Sequence, residues 1–215
     1  MSNMSAMKKR LLKTLAESIS EQVDLFNTAE VECLIHDYNV LLGEPTPPGK
    51  GVPGLDRAKF RSILHNTFGI SDDLMMDRVF RTFDRDNDSS VSTKEWIAGL
   101  SIFLRGSLDD KIKCNFRVYD LNDDTFVSIE EVYHMLKNCL PGLPTKEERD
   151  EGVKDLVEIT FKRMDRDHDG KMSLPDFEQS VKEENLLLEA FGTCLPNFKV
   201  ITIQIFLKNT NILIK

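Results

Sequence analysis

A twelve-residue acidic segment occurs three times in this chain, each time between two stretches with the apolar periodicity of a helix. The segments are loop A (84–95), loop B (120–131) and loop C (165–176). Each has oxygen-bearing side chains at positions 1, 3 and 5, an apolar residue at position 8 and a carboxylate at position 12. Carboxylates this close repel one another unless water or a cation offsets their charge. The repeat therefore predicts three helix–loop–helix units whose loops can hold a cation.

A fourth, weaker unit lies upstream of these three. Apolar residues at helical spacing predict one helix over 29–42 and a second helix that includes Phe60. The segment between them contains Pro48 and Pro53, and Lys59 stands where the last ligand of a loop would be. We therefore expect this unit to bind no cation and to pair structurally with the unit of loop A.

The ligand pattern of the three loops is that of an EF-hand calcium site. Calcium takes roughly six to eight oxygen ligands, and an EF-hand loop supplies them from positions 1, 3, 5, 7, 9 and 12, using the backbone carbonyl at position 7. Serine occupies position 9 of every loop. The other predicted ligands are Asp84, Asp86, Asp88, Ser90 and Glu95 in loop A, Asp120, Asn122, Asp124, Phe126 and Glu131 in loop B, and Asp165, Asp167, Asp169, Lys171 and Asp176 in loop C.

Each loop departs from the usual pattern at one position. Position 6 normally has glycine, because the turn there requires a positive φ. Loop C has Gly170, but loop A has Ser89 and loop B has Thr125, whose β-branched side chain is the more strained choice. Loop C ends in Asp176, which is one methylene shorter than glutamate and tends to offer a single oxygen. We therefore expect loop C to favour magnesium more than loops A and B do.

The composition argues against several classes of function. A formal net charge of −8 is unfavourable for general binding to nucleic acid. No run of about 20 apolar residues occurs, so we expect no transmembrane helix, and Ser2 in place of glycine argues against an N-myristoyl anchor. The histidines lack metal-ligand spacing, and no phosphate-binding glycine loop or nucleophile motif is present. We expect no catalytic site.

The cysteines indicate the redox environment. Cys33, Cys114, Cys139 and Cys194 are widely scattered and form no CxxC pair. Such spacing, in a chain that begins without an apolar signal run, is typical of reduced thiols in a cytosolic protein. We therefore expect a cytoplasmic protein in which Cys33 and Cys114 face the core.

The four units predict an all-α EF-hand fold with two lobes, because each loop contributes a short strand to its neighbour. Arg105-Gly106-Ser107 is the candidate hinge, since glycine weakens the helix there. The predicted domains are an N-terminal helix at 1–27, an N-lobe of the degenerate unit and the loop A unit at 28–106, a C-lobe of the loop B and loop C units at 107–192, and a C-terminal tail at 193–215.

Two terminal segments leave alternatives open. Residues 7–19 have apolar residues at helical spacing, which fits either a helix packed on the N-lobe or a contact with a partner or a membrane surface. Residues 199–207 alternate β-branched and polar residues, which is typical of a strand or an aggregation-prone tail. This tail either packs loosely or lies as an internal ligand in a hydrophobic groove.

Three competent loops after one degenerate loop resemble the neuronal calcium sensor and calcineurin-B branch of the EF-hand superfamily. Over about residues 25–198 the chain is more specifically similar to the axonemal calcium sensors associated with outer-arm dynein. The strings that carry this likeness include Gly54-Leu55-Asp56-Arg57, Glu95-Trp96-Ile97, Leu104-Arg105-Gly106-Ser107-Leu108, His134-Met135-Leu136-Lys137-Asn138, and Leu186-Leu187-Leu188-Glu189-Ala190-Phe191-Gly192.

The resemblance implies a calcium-dependent partner that the loop chemistry cannot supply. It implies binding to a dynein heavy chain, with contacts to tubulin or docking factors, in the axoneme of cilia or flagella. A calcium buffer and a calcineurin-B-like regulatory subunit of an enzyme remain alternatives. A sensor must expose an apolar groove on binding calcium so that a target helix can dock. The candidate groove residues, which would equally form a core, are Ile35, Phe60, Met75, Met76, Phe80, Phe83, Trp96 and Phe103.

Overall fold

A computed structural model describes residues 6–43, 54–137 and 145–195 of the chain. This part is helical, with four short strands, and the prediction of an all-α fold of paired helix–loop–helix units is confirmed. In chain order, the elements are α1 (Ala6–Ser20), α2 (Thr28–Leu42), β1 (Leu55–Asp56), α3 (Arg57–Phe68), α4 (Asp73–Phe83), β2 (Ser90–Val91), α5 (Thr93–Arg105), α6 (Leu108–Tyr119), β3 (Phe126–Ser128), α7 (Ile129–Leu136), α8 (Lys146–Met164), β4 (Lys171–Ser173), α9 (Leu174–Glu183) and a 3₁₀ helix (Asn185–Glu189).

The described residues form two compact units. The first unit consists of residues up to 69 together with 83–106, and the second consists of 70–82 together with 107–195. Residues 70–82 form most of α4, which the predicted boundary at 106 assigns to the N-lobe, yet their contacts lie in the second unit. The exact lobe boundaries stay a prediction.

Capping boxes define where most of the helices begin. In a capping box the side chain before the helix accepts the N–H of the third helical residue, whose own side chain accepts the N–H of the cap. Such boxes start α2, α5, α6, α7, α8 and α9. At the other end of a helix, Gly69 ends α3 with a left-handed φ of 72°, which a glycine adopts without strain.

The first unit is built around the pairing of β1 with β2. The two strands are antiparallel, with Leu55 opposite Val91, so the degenerate unit pairs with the unit of loop A. Tyr38 on α2 donates its hydroxyl proton to the Val91 carbonyl at 2.6 Å. Phe60 and Trp96 meet edge to face, with ring centroids 6.0 Å apart. These contacts form one core that the two helix–loop–helix units share.

Helix α1 packs against α2 in the first unit. Ala16 and Ile19 on its inner face are buried, and Leu12 and Leu15 are half-buried. Leu11 remains 61% exposed. The C-terminal half of α1 therefore packs its apolar face on the first unit. Of the two alternatives for this segment, this is the helix packed on the N-lobe.

The second unit repeats the arrangement with β3 and β4. Val127 lies opposite Met172, so the position-8 residues of loops B and C are neighbours in the strand pair. The segment after α9 packs on α6, where the Phe191 and Tyr119 rings stand edge to face with centroids 5.1 Å apart. The Tyr119 hydroxyl contacts the carbonyl oxygens of Leu188 and Gly192 at 3.1 and 2.9 Å. Residues 185–195 are thereby fixed on the helix that enters loop B.

Outside the loops, the sequence-based expectations concern the cysteines, the C-terminal segment and a membrane-spanning helix. Cys33 is half-buried, Cys114 and Cys194 are buried, and none of these three forms a disulfide. Cys139 and the alternating segment 199–207 lie outside the described residues. Within the part of the chain that the structure describes, no helix combines the length and the apolar character that crossing a bilayer requires.

Candidate metal centres

The three loops occupy equivalent places in their units. Helix α4 ends at Phe83, directly before Asp84, and α5 begins just after position 9 of loop A. Loops B and C follow α6 and α8 and precede α7 and α9 in the same way. In each loop a short strand includes position 8. The strand pair fixes the middle of a loop, and the two helices fix its ends.

The carboxylates at positions 1, 3 and 5 converge in loops A and C. In loop A one oxygen each from Asp84, Asp86 and Asp88 lies within 4.8 Å of the others. The first three aspartates of loop C converge within the same distance. These are the separations at which several oxygens can share one cation. In loop B, Asp120 Oδ1 and Asn122 Oδ1 both accept the N–H of Asp124, at 3.1 and 3.0 Å.

The first aspartate of each loop is buried. Burial raises the pKa of Asp84 and Asp120 above the usual value for an aspartate, although both accept backbone N–H bonds from their own loops. In loop C, Gly170 donates to Asp165 Oδ2 at 3.0 Å, but Asp165 Oδ1 is buried without a hydrogen-bond partner among the described residues. An unpaired buried carboxylate oxygen is costly, and a bound cation would satisfy it. The residues therefore fit a calcium ion.

Position 6 has a positive φ in all three loops, as the turn requires. The φ angles are 68° at Ser89, 74° at Thr125 and 84° at Gly170. Glycine adopts this conformation without strain, whereas other residues lose roughly 1–2 kcal/mol there. At position 6, loops A and B therefore carry backbone strain that loop C avoids.

The last carboxylates of loops A and B form two sets of hydrogen bonds. Glu95 Oε2 accepts the N–H and the hydroxyl of Ser92 at 2.8 and 2.7 Å, which completes the capping box of α5. Glu95 Oε1 accepts the N–H of Arg85 at 2.7 Å across the loop. Glu131 bonds in the same way to Ser128 and Leu121. Both oxygens of each glutamate thus point into the loop, where a bidentate ligand belongs.

Loop C closes differently because its last carboxylate is shorter. Asp176 Oδ2 accepts the N–H of Ser173 at 2.9 Å and also its hydroxyl. No bond from Asp176 to the backbone at positions 2 and 3 is found in the described loop, in contrast to Glu95 and Glu131. The side chain reaches the helix cap but not across the loop.

The degenerate unit uses its corresponding residues for structure. Asp56 caps α3 by accepting the N–H of Lys59 at 2.8 Å. Lys59, at the place of the last ligand, donates its ammonium to the Leu42 carbonyl at 2.8 Å near the end of α2. A cation already stands where a calcium ligand would be needed. That the unit binds no metal stays a prediction.

Two roles escaped the sequence reasoning. The position-9 serines cap the helices that leave the loops, and the S-x-x-E spacing at Ser92 and Ser128 is the signal that could have revealed it. Arg78 on α4 is buried and contacts loop B. No local pattern marks it, because a single arginine on an amphipathic helix normally points to solvent.

Paired helix–loop–helix units with clustered oxygen ligands define an EF-hand protein, and residues 109–182 match the EF-hand domain pair. The chain belongs to the calaxin family. It is 57% identical to calaxin of Xenopus laevis over 195 residues, which cover 91% of this chain and 93% of that protein. Calaxin of Homo sapiens is 55% identical over 193 residues, covering 90% and 91%. Calcineurin B of Candida glabrata is 34% identical over 158 residues, covering 71% and 87%.

The family confirms the coarse functional prediction. The chain is a calcium-binding EF-hand protein of the sensor type, and its family is not one of enzymes. The individual ligands in loops A, B and C remain predictions, which the geometry of the carboxylates supports.

Proposed function

We propose that this chain is a calcium sensor that changes conformation on binding calcium at loops A, B and C and thereby regulates axonemal outer-arm dynein. The observation that carries the calcium part is the buried, unpaired Asp165 Oδ1 beside the converging aspartates of loop C. Membership of the calaxin family supports the sensor class. The resemblance to axonemal calcium sensors supports dynein as the regulated partner.

The partner and location follow from the same resemblance. The proposed partner is an outer-arm dynein heavy chain, with tubulin or docking factors as further contacts. The proposed location is the cytoplasm at the axoneme of a cilium or flagellum. Calcium entry would then change the sliding of microtubules and the beat of the organelle.

A conformational change is needed because the candidate groove residues are buried in this structure. All eight candidate residues are buried. They are Ile35, Phe60, Met75, Met76, Phe80, Phe83, Trp96 and Phe103. Calcium sensors of this class receive a target helix on an apolar surface that opens when the ion binds. The closed arrangement is therefore the resting form in this proposal.

Magnesium is the proposed resting occupant of loop C. Magnesium is smaller than calcium and takes about six ligands in a tight octahedron. Asp176 offers a shorter reach than Glu95 and Glu131, and its bonds stay at the helix cap. A single oxygen from position 12 suits the smaller coordination number.

The first test is a calcium titration of apolar surface exposure with a hydrophobic dye, at about 1 mM magnesium. Trp96, the single tryptophan of the chain, follows Glu95 and gives a second signal in the same sample. We expect dye binding to rise with a midpoint near ~10⁻⁷–10⁻⁵ M, the range of sensor sites. Glu95→Gln and Glu131→Gln should each remove about one calcium equivalent in calorimetry. Calcium binding without new exposure would contradict the sensor function and leave a buffer.

The partner requires its own test. Purified outer-arm dynein should bind the chain more tightly in calcium than in a chelator, and the combined Glu95→Gln and Glu131→Gln variant should lose this difference. If the unchanged chain binds dynein equally in calcium and in chelator, or if the variant keeps the full difference, a contact regulated through loops A and B is overturned.

A calcineurin-B-like regulatory subunit is the second candidate. The similarity to calcineurin B of Candida glabrata favours it. Such a subunit would hold its partner with and without calcium. Retention of a phosphatase catalytic chain in chelator, with no binding to dynein, would favour this candidate over the sensor of dynein.

A further inference from the structure

Arg78 is a buried cation that calcium binding itself does not explain. It lies on α4 within the second unit and is only 5% exposed. Burying a guanidinium group is costly unless hydrogen bonds and opposite charges surround it. The partners of Arg78 therefore indicate what the residue does.

The guanidinium of Arg78 contacts the end of α6 and the start of loop B. Its Nε donates to the Val118 carbonyl at 3.2 Å, and Nη2 donates to the Arg117 carbonyl at 3.0 Å. Nη1 donates to the Leu121 carbonyl at 3.1 Å, and Nη2 also donates to the Asp120 carbonyl. The last carbonyls of a helix lack partners within it, and a cation there is favourable. Arg78 thus holds the backbone at the first ligand of loop B.

A carboxylate of loop B completes this clamp. Arg78 Nη2 donates to Asp123 Oδ1 at 3.0 Å, and Arg81, one turn further along α4, lies 3.7 Å from Asp123 Oδ2. Asp123 stands at position 4, which supplies no calcium ligand. Loops A and C have Asn87 and His168 at this position. The acidic partner for α4 is therefore specific to loop B.

Helix α4 also leads directly into loop A. It ends at Phe83, and the next residue is Asp84, the first predicted ligand. Arg78 consequently lies on the entering helix of loop A while its hydrogen bonds end on loop B. A movement of α4 when loop A binds an ion would be transmitted to the carbonyls that Arg78 holds. In this structure the clamp is intact while the ligand side chains of both loops are gathered.

We propose that Arg78 couples loops A and B, so that calcium at either loop strengthens binding at the other. The coupling rests on the proposed function, because both loops must bind calcium. Thermodynamic linkage makes the effect reciprocal, so it is measurable at loop A alone. The charge of Arg78 by itself would weaken binding at loop B by repulsion, which means that the coupling depends on the forked hydrogen bonds and not on the charge.

Trp96 fluorescence provides the measurement, because this residue adjoins the last ligand of loop A. In the otherwise unchanged chain, disabling loop B with Glu131→Gln should raise the calcium midpoint seen by Trp96 by about fivefold or more. In the Arg78→Lys background the same Glu131→Gln change should shift the midpoint less than about twofold. Lysine keeps the charge but lacks the planar fork.

Arg81→Gln is the matched control. It removes a positive charge from the same carboxylate on the same helix, but Arg81 is 53% exposed on its side chain. In the Arg81→Gln background, Glu131→Gln should still raise the calcium midpoint seen by Trp96 by the full amount. Asp123→Asn, a change at an exposed carboxylate, serves if Arg78→Lys does not fold, and it should reduce the coupling at least about twofold.

The outcomes separate this coupling from the calcium sites themselves. Calorimetry should show that Glu131→Gln loses about one calcium in every background. If Glu131→Gln, introduced alone with Arg78 retained, removes that calcium but does not move the Trp96 midpoint, the coupling is overturned and the loop B site stands. An equal shift with and without Arg78 would also overturn the role of Arg78. If no calcium is lost, loop B is not a site, and the proposed function fails together with the coupling.

Discussion

Position 6 shows how one residue sets the stability of a loop. Thr125 has a φ of 74°, a region that a β-branched residue rarely adopts, whereas Gly170 occupies the equivalent place in loop C without strain. Thr125→Gly should therefore raise the free energy of unfolding of the calcium-free chain by about 1 kcal/mol, since relief of strain exceeds the added freedom of the unfolded chain. Chemical unfolding in a chelator measures the difference.

The opposite substitution is the control. Gly170→Ala places a side chain at a φ of 84° and should lower the free energy of unfolding by a similar amount. Ser89→Gly should give a smaller gain than Thr125→Gly, because serine is not β-branched. A destabilised Thr125→Gly chain would show that packing of the threonine outweighs its strain.

At the residue scale, the sequence predicts what depends on spacing and misses what depends on packing. The convergence of Asp84, Asp86 and Asp88 follows from a loop pattern that is local in the chain. The burial of Arg78 depends on carbonyls about 40 residues away, which only the folded chain brings near. The degenerate unit is intermediate: a lysine at the last ligand position predicts that the unit binds no metal, but the bond from Lys59 to Leu42 was not predictable.

At the element scale, one ion pair ties the start of α2 to the end of α5. Arg105 donates to both carboxylate oxygens of Glu30, at 2.7 and 3.0 Å, and these bonds hold the pKa of Glu30 below its usual value of 4.5. Because the folded pKa is the lower one, the pair contributes stability above pH 4.5 and loses it as the pH falls through the folded pKa.

Arg105→Gln isolates this contribution. Near pH 7 the variant should be less stable than the unchanged chain by about 0.5–1 kcal/mol from the ion pair, a small value because Arg105 is a third exposed. The difference in stability between the variant and the unchanged chain should shrink as the pH is lowered below the pKa of glutamate in the unfolded chain. A remainder that is independent of pH is expected from the contacts of Arg105 with Leu25 and Phe26. Urea unfolding between neutral and acidic pH measures the effect, and a difference constant with pH would rule out this account.

The helices themselves were the most predictable elements. Apolar spacing marked α2, α4 and α5, and capping residues fix the first residue of most helices. The membership of α4 in a unit was not predictable, because it depends on long-range contacts and not on the pattern of the helix. Chain order places α4 with loop A, whereas its contacts through residue 82 place it in the second unit.

At the scale of the whole molecule, the position-12 residues test the proposed magnesium occupancy of loop C. Asp176→Glu should restore a long, bidentate ligand to loop C and reduce the competition of magnesium with calcium there by roughly tenfold. Calorimetric calcium titrations with and without about 1 mM magnesium give the comparison. The proposed resting occupancy predicts that the unchanged chain shows one magnesium-sensitive site.

Glu95→Asp is the matched control for this prediction. It gives loop A the same short carboxylate that loop C has, so loop A should become sensitive to magnesium. If neither substitution changes the competition, the length of the position-12 side chain does not determine the choice of ion.

The overall fold was predictable because the repeat encodes it. Three loops of equal length and one degenerate unit specify four helix–loop–helix units, and strand pairing between Leu55 and Val91 and between Val127 and Met172 joins them. The regulated partner is not encoded in the loops, and only the likeness to relatives points to it.

The internal bonds of Glu95 and Glu131 have a consequence for solvent access. Glu95 Oε1 accepts the amide protons of Arg85 and Asp86 in this structure, and Glu131 Oε1 accepts those of Leu121 and Asn122. A cation that takes these oxygens must release these amides, while other amides of the loops tighten around the ion. Calcium would thus slow the exchange of hydrogen for deuterium over most of each loop and speed it at positions 2 and 3, which would report that the glutamate has changed its partner.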